Sequence, residues 1–215
     1  MKLRVSVIVL AVAALLASCQ KEDVAPSVPP SAAVNVVNVS GGAFNFFMNG
    51  TRLNNTSTIY PDGVSGYLEV YSGQQNYQFK NDRSPDVAFT LPLSLDSAAS
   101  YTLFAAALDT TNIILVNDDI SIDTGNVALI RFVNASPKVN NITLSLNDTA
   151  RVSNAAYRSV SDLIRIVPGR KKLSVGNTNM GDSVTFTRGN AYTIYSKGDP
   201  AINGDGGFGL GIIQN

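Results

Sequence analysis

The side chains that most often carry catalysis are scarce in this chain of 215 residues. It has no histidine, no tryptophan and one cysteine, Cys19. Without histidine, Ser-His-Asp and Cys-His sites are excluded, and so are zinc or copper sites built on imidazole or thiolate. No glycine-rich phosphate loop lies between a strand and a helix. The sequence therefore predicts a protein that is not an enzyme and that has no metal and no cofactor.

Two groups of oxygen-bearing side chains are the remaining candidates for chemistry. Asn117-Asp118-Asp119 with Asp123 could form a loose calcium site, because hard cations bind several oxygens. Asp199, Asn203 and Asp205 form a second group, which lacks the spacing of an EF-hand. We interpret the first group as a solvated linker between repeats and the second as a turn, with cation binding as the alternative.

Cys19 stands where its thiol could be acylated. Two basic residues, Lys2 and Arg4, precede an apolar run that ends in Leu16-Ala17-Ser18-Cys19, which resembles a lipobox. The run is shorter than the roughly 20 residues that span a bilayer, so it is typical of a signal peptide. We predict a signal peptide over residues 1–18 and a lipid anchor on Cys19, with the membrane as a partner. The alternative is an ordinary signal peptide that happens to contain a cysteine.

Residues 19–33 are predicted to form a flexible, proline-rich tether. Prolines in this segment favour extended polyproline II structure, which would hold a folded part away from the membrane. The residues after Cys19 are Gln20, Lys21, Glu22 and Asp23. They resemble the export signal of surface lipoproteins in Bacteroidetes, which implies an outer-membrane protein that faces the cell exterior. The alternative is a polar tether without a routing role.

The composition predicts a folded chain with an uneven charge distribution. Hydrophobic residues make up 45% and charged residues 15%, and the formal net charge is +0. This balance gives no indication of nucleic-acid binding. From Gln20 to Gly125 there are four basic and eleven acidic residues, and from Asn126 onwards ten basic and five acidic, so the halves carry −7 and +5. We hypothesise that the two halves attract each other electrostatically.

An internal repeat divides the chain into copy one (34–122) and copy two (126–215). Asn38-Val39-Ser40 matches Asn134-Ala135-Ser136, and Gly73 matches Gly169, both at a spacing of 96 residues that can be counted on the sequence. A repeat of domain size predicts two copies of one fold. We expect them to fold separately, with a boundary near residues 119–126.

Each copy is predicted to consist of short strands joined by tight turns. Apolar residues alternate in many segments, and about seven candidate strands per copy are typical of an immunoglobulin-like sandwich. Asn49-Gly50 and Asn147-Asp148 predict equivalent turns, while Ser72-Gly73 and Pro168-Gly169 predict tight hairpins. The predicted fold is all-β, with two tandem immunoglobulin-like β-sandwich domains after the signal peptide and spacer.

Copy two also carries the motifs of a known family. The segment Ile130–Pro137 (IRFVNASP), Tyr157, Pro168-Gly169 and Ala191-Tyr192-Thr193 resemble an uncharacterised domain family of bacterial lipoproteins. Copy one departs from the pattern, because Gly41-Gly42 replaces the proline region. The resemblance covers nearly all of the chain after the tether. It implies a tandem β-sandwich and no activity.

Two groups of residues could bind a partner. Arg170, Lys171 and Lys172 are predicted to form a basic loop for an anionic glycan or a phosphate-bearing headgroup, or else an ordinary hairpin tip. Four tyrosines could stack on sugars or fill the core: Tyr60, Tyr67, Tyr71 and Tyr77.

Taken together, these features predict a surface-exposed, lipid-anchored, non-enzymatic protein. Its expected role is a structural or adhesive module, and its partner could be a protein or a glycan. The alternative is a glycan-binding accessory lipoprotein of an outer-membrane uptake system.

Overall fold

A computed structural model describes residues 29–121, 125–176, 178–202 and 206–215, without the side chains of 178–182. The predicted signal peptide, the lipidation site Cys19 and the export signal Gln20, Lys21, Glu22 and Asp23 lie outside the described residues. The first strand begins at Ser31 and pairs with Tyr71 there, so the last three residues of the predicted tether belong to the sandwich. Ala32 is buried in its core, which explains why the strand starts early.

In the described residues each copy contains eight strands. Those of copy one are β1 (Ser31–Asn38), β2 (Phe44–Met48), β3 (Thr51–Arg52), β4 (Val64–Tyr71), β5 (Gly73–Asn81), β6 (Val87–Leu95), β7 (Ser100–Ala105) and β8 (Ile113–Asn117). Those of copy two are β9 (Ala128–Asn134), β10 (Ile142–Leu146), β11 (Thr149–Ala155), β12 (Ile164–Ile166), β13 (Gly169–Val175), β14 (Thr178–Phe186), β15 (Ala191–Lys197) and β16 (Gly209–Gln214). A 3-10 helix, Thr110–Asn112, precedes β8.

The two copies have the same topology. Copy one forms an inner sheet, β4-β1-β7-β8, and an outer sheet, β3-β2-β5-β6. Copy two repeats both orders, as β12-β9-β15-β16 and β11-β10-β13-β14. In each inner sheet the two central strands, β1 with β7 and β9 with β15, run parallel, and the other named pairs are antiparallel. The prediction of two tandem β-sandwiches is confirmed.

Each sandwich encloses its own apolar core. In copy one the core is rich in aromatic rings, among them Phe44, Phe46, Tyr77 and Phe79. In copy two most of the equivalent space is filled by aliphatic side chains such as Leu144, Leu146 and Leu173.

A third core joins the two inner sheets. Its buried members come from both copies: Val37, Val39, Phe104, Ala106, Ile114, Val116, Val133, Ala135, Tyr195 and Ile213. The rings of Phe104 and Tyr195 meet at its centre, 5.1 Å apart. The inner sheets are therefore covered on both faces, which explains why all seven residues of β9 are buried instead of alternating. We call this cluster the shared core.

The predicted asparagine turns are confirmed. Asn49 and Gly50 have φ of 49° and 86°, and Asn147 and Asp148 have φ of 48° and 61°. Two consecutive residues with positive φ match the tight hairpin turns that asparagine favours. They join β2 to β3 and β10 to β11, where Met48 pairs with Thr51 and Leu146 with Thr149.

The prediction of hairpins at Ser72-Gly73 and Pro168-Gly169 is wrong. Strand β4 belongs to the inner sheet and β5 to the outer sheet, and β12 and β13 are divided in the same way. These turns are corners at which the chain crosses from one sheet to the other. Gly73 and Gly169 adopt φ of 74° and 112°, which suits glycine.

The asparagine that opens the repeat motif has a structural role in both copies. Asn38 is fully buried, and its Nδ2 donates to the carbonyl oxygens of Gly42 and Ile59 at 2.8 and 2.9 Å. Asn134 is also fully buried and donates in the same way to Val139 and Ala155, at 2.8 and 3.0 Å. Each amide ties the end of the first strand to the loop that follows.

Candidate functional site

A buried polar cluster lies at one end of the shared core. Arg131 of β9 is only 4% exposed, although its neighbours in the strand, Ile130 and Phe132, are apolar. Its Nε donates to Thr193 Oγ1 at 2.7 Å and its Nη1 to the carbonyl oxygen of Asn117 at 2.6 Å. Its Nη2 pairs with Asp118 of copy one. The guanidinium thus connects the two copies through one ion pair and one backbone contact.

The Asp118 carboxylate is also fully engaged. Its Oδ2 accepts hydrogen bonds from Thr102 Oγ1 at 2.5 Å and from the Tyr67 hydroxyl at 2.8 Å. Burial, together with the hydrogen bond to this carboxylate, raises the pKa of Tyr67. Both carboxylate oxygens are committed to protein donors, so this cluster holds the copies together and offers no free group for proton transfer.

The interpretation of Asn117-Asp118-Asp119 as a solvated linker is therefore wrong for Asp118. Its charge is buried because Arg131 neutralises it within the shared core. Asp119 instead accepts from the backbone nitrogen of Ser100 at 3.1 Å, and Asp123 lies outside the described residues. The part of the chain that the structure describes contains no group of three histidine, cysteine or acidic residues placed to hold a metal ion.

The sequence did contain a signal for this cluster. Arg131 interrupts the apolar run of β9, and an arginine in a strand buried on both faces requires a charged partner. What the sequence could not show was that β9 is covered on both faces, since this depends on the packing of copy one against copy two.

Two ion pairs between described residues connect the two halves. Besides Arg131 with Asp118, one further ion pair crosses between the copies, Lys197 with Asp62 at 2.6 Å, as far as the described residues show. The remaining contact is largely the apolar shared core.

A groove of about 510 Å³ lies beside the loop between β3 and β4 of copy one. It is lined by Leu53, Asn54, Asn55, Thr56, Ser57, Thr58, Ile59, Tyr60, Gly63, Val64, Ser65 and Leu68. The lining combines apolar side chains with amide and hydroxyl groups, and none of its side chains is charged at neutral pH.

Hydrogen bonds of buried Asn54 hold this loop in place. Its Oδ1 accepts from the backbone nitrogen of Phe46 at 2.8 Å, and its Nδ2 donates to the carbonyl oxygen of Ser57 at 2.7 Å. Further along, Ile59 pairs with Phe44 of β2, and Thr58 Oγ1 donates to Asp82 at 2.9 Å. The groove wall is thus attached to the outer sheet at several points.

Tyr60 stands at the rim of the groove on a tight turn. The Gly63 nitrogen donates to the Tyr60 carbonyl oxygen at 2.8 Å, with Pro61 and Asp62 between them. A Cβ at residue 63 would lie 2.7 Å from that oxygen, so only glycine fits there. The turn fixes the backbone of Tyr60 and leaves its ring 57% exposed.

The structure separates the four tyrosines that the sequence singled out. Tyr77 is buried in the core of copy one and stacks on Phe46 at 5.4 Å, so of the two alternatives it fills the core and offers no surface to a sugar. Tyr67 and Tyr71 are 43% and 49% exposed on edge strand β4, and the Tyr67 hydroxyl is used by Asp118. Only Tyr60 lines the groove.

The predicted basic loop at Arg170, Lys171 and Lys172 is not a loop. All three residues lie within β13, where Arg170 pairs with Thr185 and Lys172 with Ser183. The Lys172 nitrogen also donates to Asn147 Oδ1 at 2.9 Å, which fixes the strand to the β10–β11 turn. The turn at Pro168-Gly169 connects the inner sheet to the outer sheet, so the basic residues after it lie in the outer sheet. Arg170 and Lys172 are exposed there.

The second oxygen-rich group is described only in part. Asp199 Oδ1 accepts from the backbone nitrogen of Ala201 at 2.9 Å, and its other oxygen lies 3.9 Å from Lys138 Nζ. This arrangement fits the interpretation of a turn at Asp199. Asn203 and Asp205 lie outside the described residues.

Among the described residues, no helix has the length and apolar character needed to cross a membrane.

The comparisons with known proteins identify a domain family and do not identify a function. A family model described as "Domain of unknown function (DUF4397)" matches twice, at residues 32–145 and 128–210. No curated protein matches this sequence.

Two solved structures are distantly similar. The C-terminal domain of AlgF from P. aeruginosa is 22% identical, with a TM-score of 0.31, and the match covers 42% of this chain and 99% of that one. CBMbc (family CBM26) from Eubacterium rectale Amy13K, in complex with maltoheptaose, is 11% identical, with a TM-score of 0.23 and coverage of 84% and 96%. At these scores neither likeness bears on the function of this chain.

Proposed function

The chain belongs to this family of uncharacterised domains, and we propose that it is a lipid-anchored, non-enzymatic module that displays a rigid pair of sandwiches at the cell surface. The observation that carries the proposal is the shared core, because an apolar interface between tandem domains opposes hinge motion. A display or adhesive protein needs such rigidity so that its exposed loops keep fixed positions.

The absence of catalysis is part of the proposal and has physical support. The chain lacks histidine, and its single cysteine lies in the lipobox-like segment. Few side chains then remain that could transfer protons near neutral pH. The most enclosed acid described, Asp118, has both oxygens bound to protein donors.

The anchor and the outer-membrane location are proposed from the sequence around Cys19. Replacing this residue, Cys19→Ser, should move the protein from the membrane fraction to the soluble fraction, because the thioether to the lipid cannot form. Protease shaving of intact cells, with wild type and variant compared, tests the outward orientation. A Cys19→Ser protein that still sediments with membranes would contradict the anchor.

A second candidate function is binding of a glycan as an accessory to an uptake system. The groove of copy one favours it, because exposed Tyr60 stands next to uncharged polar side chains. The two candidates differ in what they require: display needs only rigidity and reach, whereas the accessory role needs a saturable sugar site.

A further inference from the structure

We infer that the groove between Leu53 and Leu68 in copy one binds a short, neutral oligosaccharide, with Tyr60 as the stacking surface. This inference deepens the second candidate function and gives it a defined site and ligand class. It does not depend on the lipid anchor or on the rigidity of the shared core, which separate experiments test.

The lining determines the charge of the ligand. None of the twelve lining residues carries a charge at neutral pH, so an anionic group in the groove would lose water without gaining a counter-charge. The Asp82 carboxylate, which accepts a hydrogen bond from Thr58 of the lining, disfavours an anion further. A neutral ligand that is rich in hydroxyl groups has no such penalty. This observation favours a neutral sugar over the acidic glycan that the basic residues of β13 had suggested.

Polar groups at the groove are available for such a ligand. Asn55, Thr56 and Ser57 are exposed, and their side chains make no hydrogen bond to any described residue. An amide and two hydroxyls supply both donors and acceptors, which suits the mixed pattern of sugar hydroxyls. The remaining polar side chains are already used, since Thr58 donates to Asp82 and Ser65 accepts from the Val36 nitrogen.

The groove has the size and the rigidity of a preformed site. Its volume of about 510 Å³ falls within the range of roughly 300–1,000 Å³ that small-ligand sites occupy. Asn54 and the Ile59–Phe44 bridge hold the wall in place before any ligand arrives. Binding therefore costs little conformational entropy in the loop.

Copy two lacks the decisive ring. Ala156 occupies the place of Tyr60, because its carbonyl oxygen accepts from the Ser159 nitrogen as that of Tyr60 accepts from Gly63. The seven-residue strand β11 also replaces most of the irregular loop of copy one. Replacing Tyr60 with alanine therefore gives copy one the side chain that the other copy already carries.

The experiment measures sugar binding by the full-length protein in detergent. An array of neutral oligosaccharides (glucans, mannans, xylans) and of anionic ones (uronans, sulfated glycans) selects a ligand, and calorimetry gives its Kd. We expect Tyr60→Ala to weaken binding at least about tenfold, which corresponds to about 1.4 kcal/mol, and Asn55→Ala to weaken it less. Tyr60→Phe, which keeps the ring, should stay within about threefold.

Tyr71→Ala is the matched control, because Tyr71 is a similarly exposed tyrosine outside the groove, and it should leave Kd unchanged. Thermal unfolding of each variant verifies folding. If Tyr60→Ala were misfolded, Asn55→Ala would decide, because an unchanged Kd in that variant would also overturn the inference. Three results would overturn the inference: no neutral oligosaccharide binds, binding survives Tyr60→Ala, or only anionic sugars bind. A failure here would leave membrane release by Cys19→Ser, and with it the display function, unaffected.

Discussion

Copy one and copy two reach the same eight-strand topology with different side chains in their cores. Tyr77, which pairs with Met48, corresponds to Leu173, which pairs with Leu146. Phe79, paired with Phe46, corresponds to Val175, paired with Leu144. The shared features are the pattern of burial and the turn residues. The comparison teaches that this topology depends on where apolar residues stand and tolerates a change from rings to aliphatic chains.

The copies differ more at the interface that they share. Arg131 of copy two corresponds to Asn35 of copy one, and Asp118 of copy one corresponds to Asn215 of copy two. One side of the interface therefore has an ion pair where the other has two amides. Asn35 Oδ1 and Asn215 Nδ2 are buried without a hydrogen-bond partner among the described residues. The two copies therefore share one strand order, but the polar contacts on the two sides of their interface differ.

Separating the copies should have the largest effect. Expressed alone, residues 126–215 would expose one face of the shared core, including Val133, Tyr195 and Ile213, and would leave Arg131 without Asp118. Burial of one large apolar side chain contributes about 1.5–3 kcal/mol, so several of them approach the whole stability of a small domain. We expect an insoluble or poorly folded product, measured by circular dichroism and urea unfolding.

Co-expression of residues 29–121 with residues 126–215 is the control. The two fragments should restore a soluble complex, because the shared core forms again. If residues 126–215 alone unfold cooperatively at the urea midpoint of the whole chain, the copies are independent domains, as the sequence repeat had suggested.

Loss of the buried charge pair should have the next largest effect. Arg131→Ala leaves Asp118 buried with an uncompensated charge, which typically costs about 3–5 kcal/mol. The measurement is the free energy of unfolding from urea titration. The double variant Arg131→Asn with Asp118→Asn replaces the ion pair by two amides, as at the equivalent positions Asn35 and Asn215. It should be more stable than Arg131→Asn or Asp118→Asn alone. If the cost of the double variant equals the sum of the costs of Arg131→Asn and Asp118→Asn measured singly, the two charges do not interact.

Gly211 tests a second difference between the copies. It pairs with Tyr195, whereas in copy one Ile114 pairs with Phe104. A Cβ at residue 211 would lie 2.1 Å from the Tyr195 ring, which is held in the shared core. Gly211→Ala should therefore destabilise the protein by about 1–3 kcal/mol, as overpacking does. Gly41→Ala, where a Cβ meets nothing within 4 Å, is the control and should have little effect in the same titration.

The strands and asparagine turns were predictable because they depend on local patterns. Alternating apolar residues indicated β10 over Ile142–Leu146, and Asn147-Asp148 indicated the turn that follows it. The corners at Gly73 and Gly169 were not predictable as corners, because a turn residue does not reveal whether the next strand joins the same sheet.

The candidate site was harder to predict because it depends on tertiary packing. Tyr60 and Tyr77 look alike in the sequence, but one ring lines the groove and the other is buried in the core of copy one. In the sequence Asp118 resembles a linker residue, because its ion pair with Arg131 forms only when β9 packs against copy one. Partners that are distant in sequence decide all three cases.

The Tyr77 hydroxyl should make the smallest difference at neutral pH. It is buried without a hydrogen-bond partner in the described part of the chain, and copy two fills the equivalent place with Leu173. Tyr77→Phe should therefore change the free energy of unfolding by less than about 1 kcal/mol at pH 7, in the stabilising direction, because an unsatisfied hydroxyl leaves the core.

Burial raises the pKa of Tyr77 to about 12 from 10.0, so the folded state holds this proton more tightly than the unfolded state does. The wild type should then lose about 2 kcal/mol between pH 10 and pH 12 on account of this residue, and Tyr77→Phe should remove that share of the loss. Urea unfolding at both pH values measures the difference, and a variant with the same alkaline loss as the wild type would show that the Tyr77 hydroxyl does not titrate with folding.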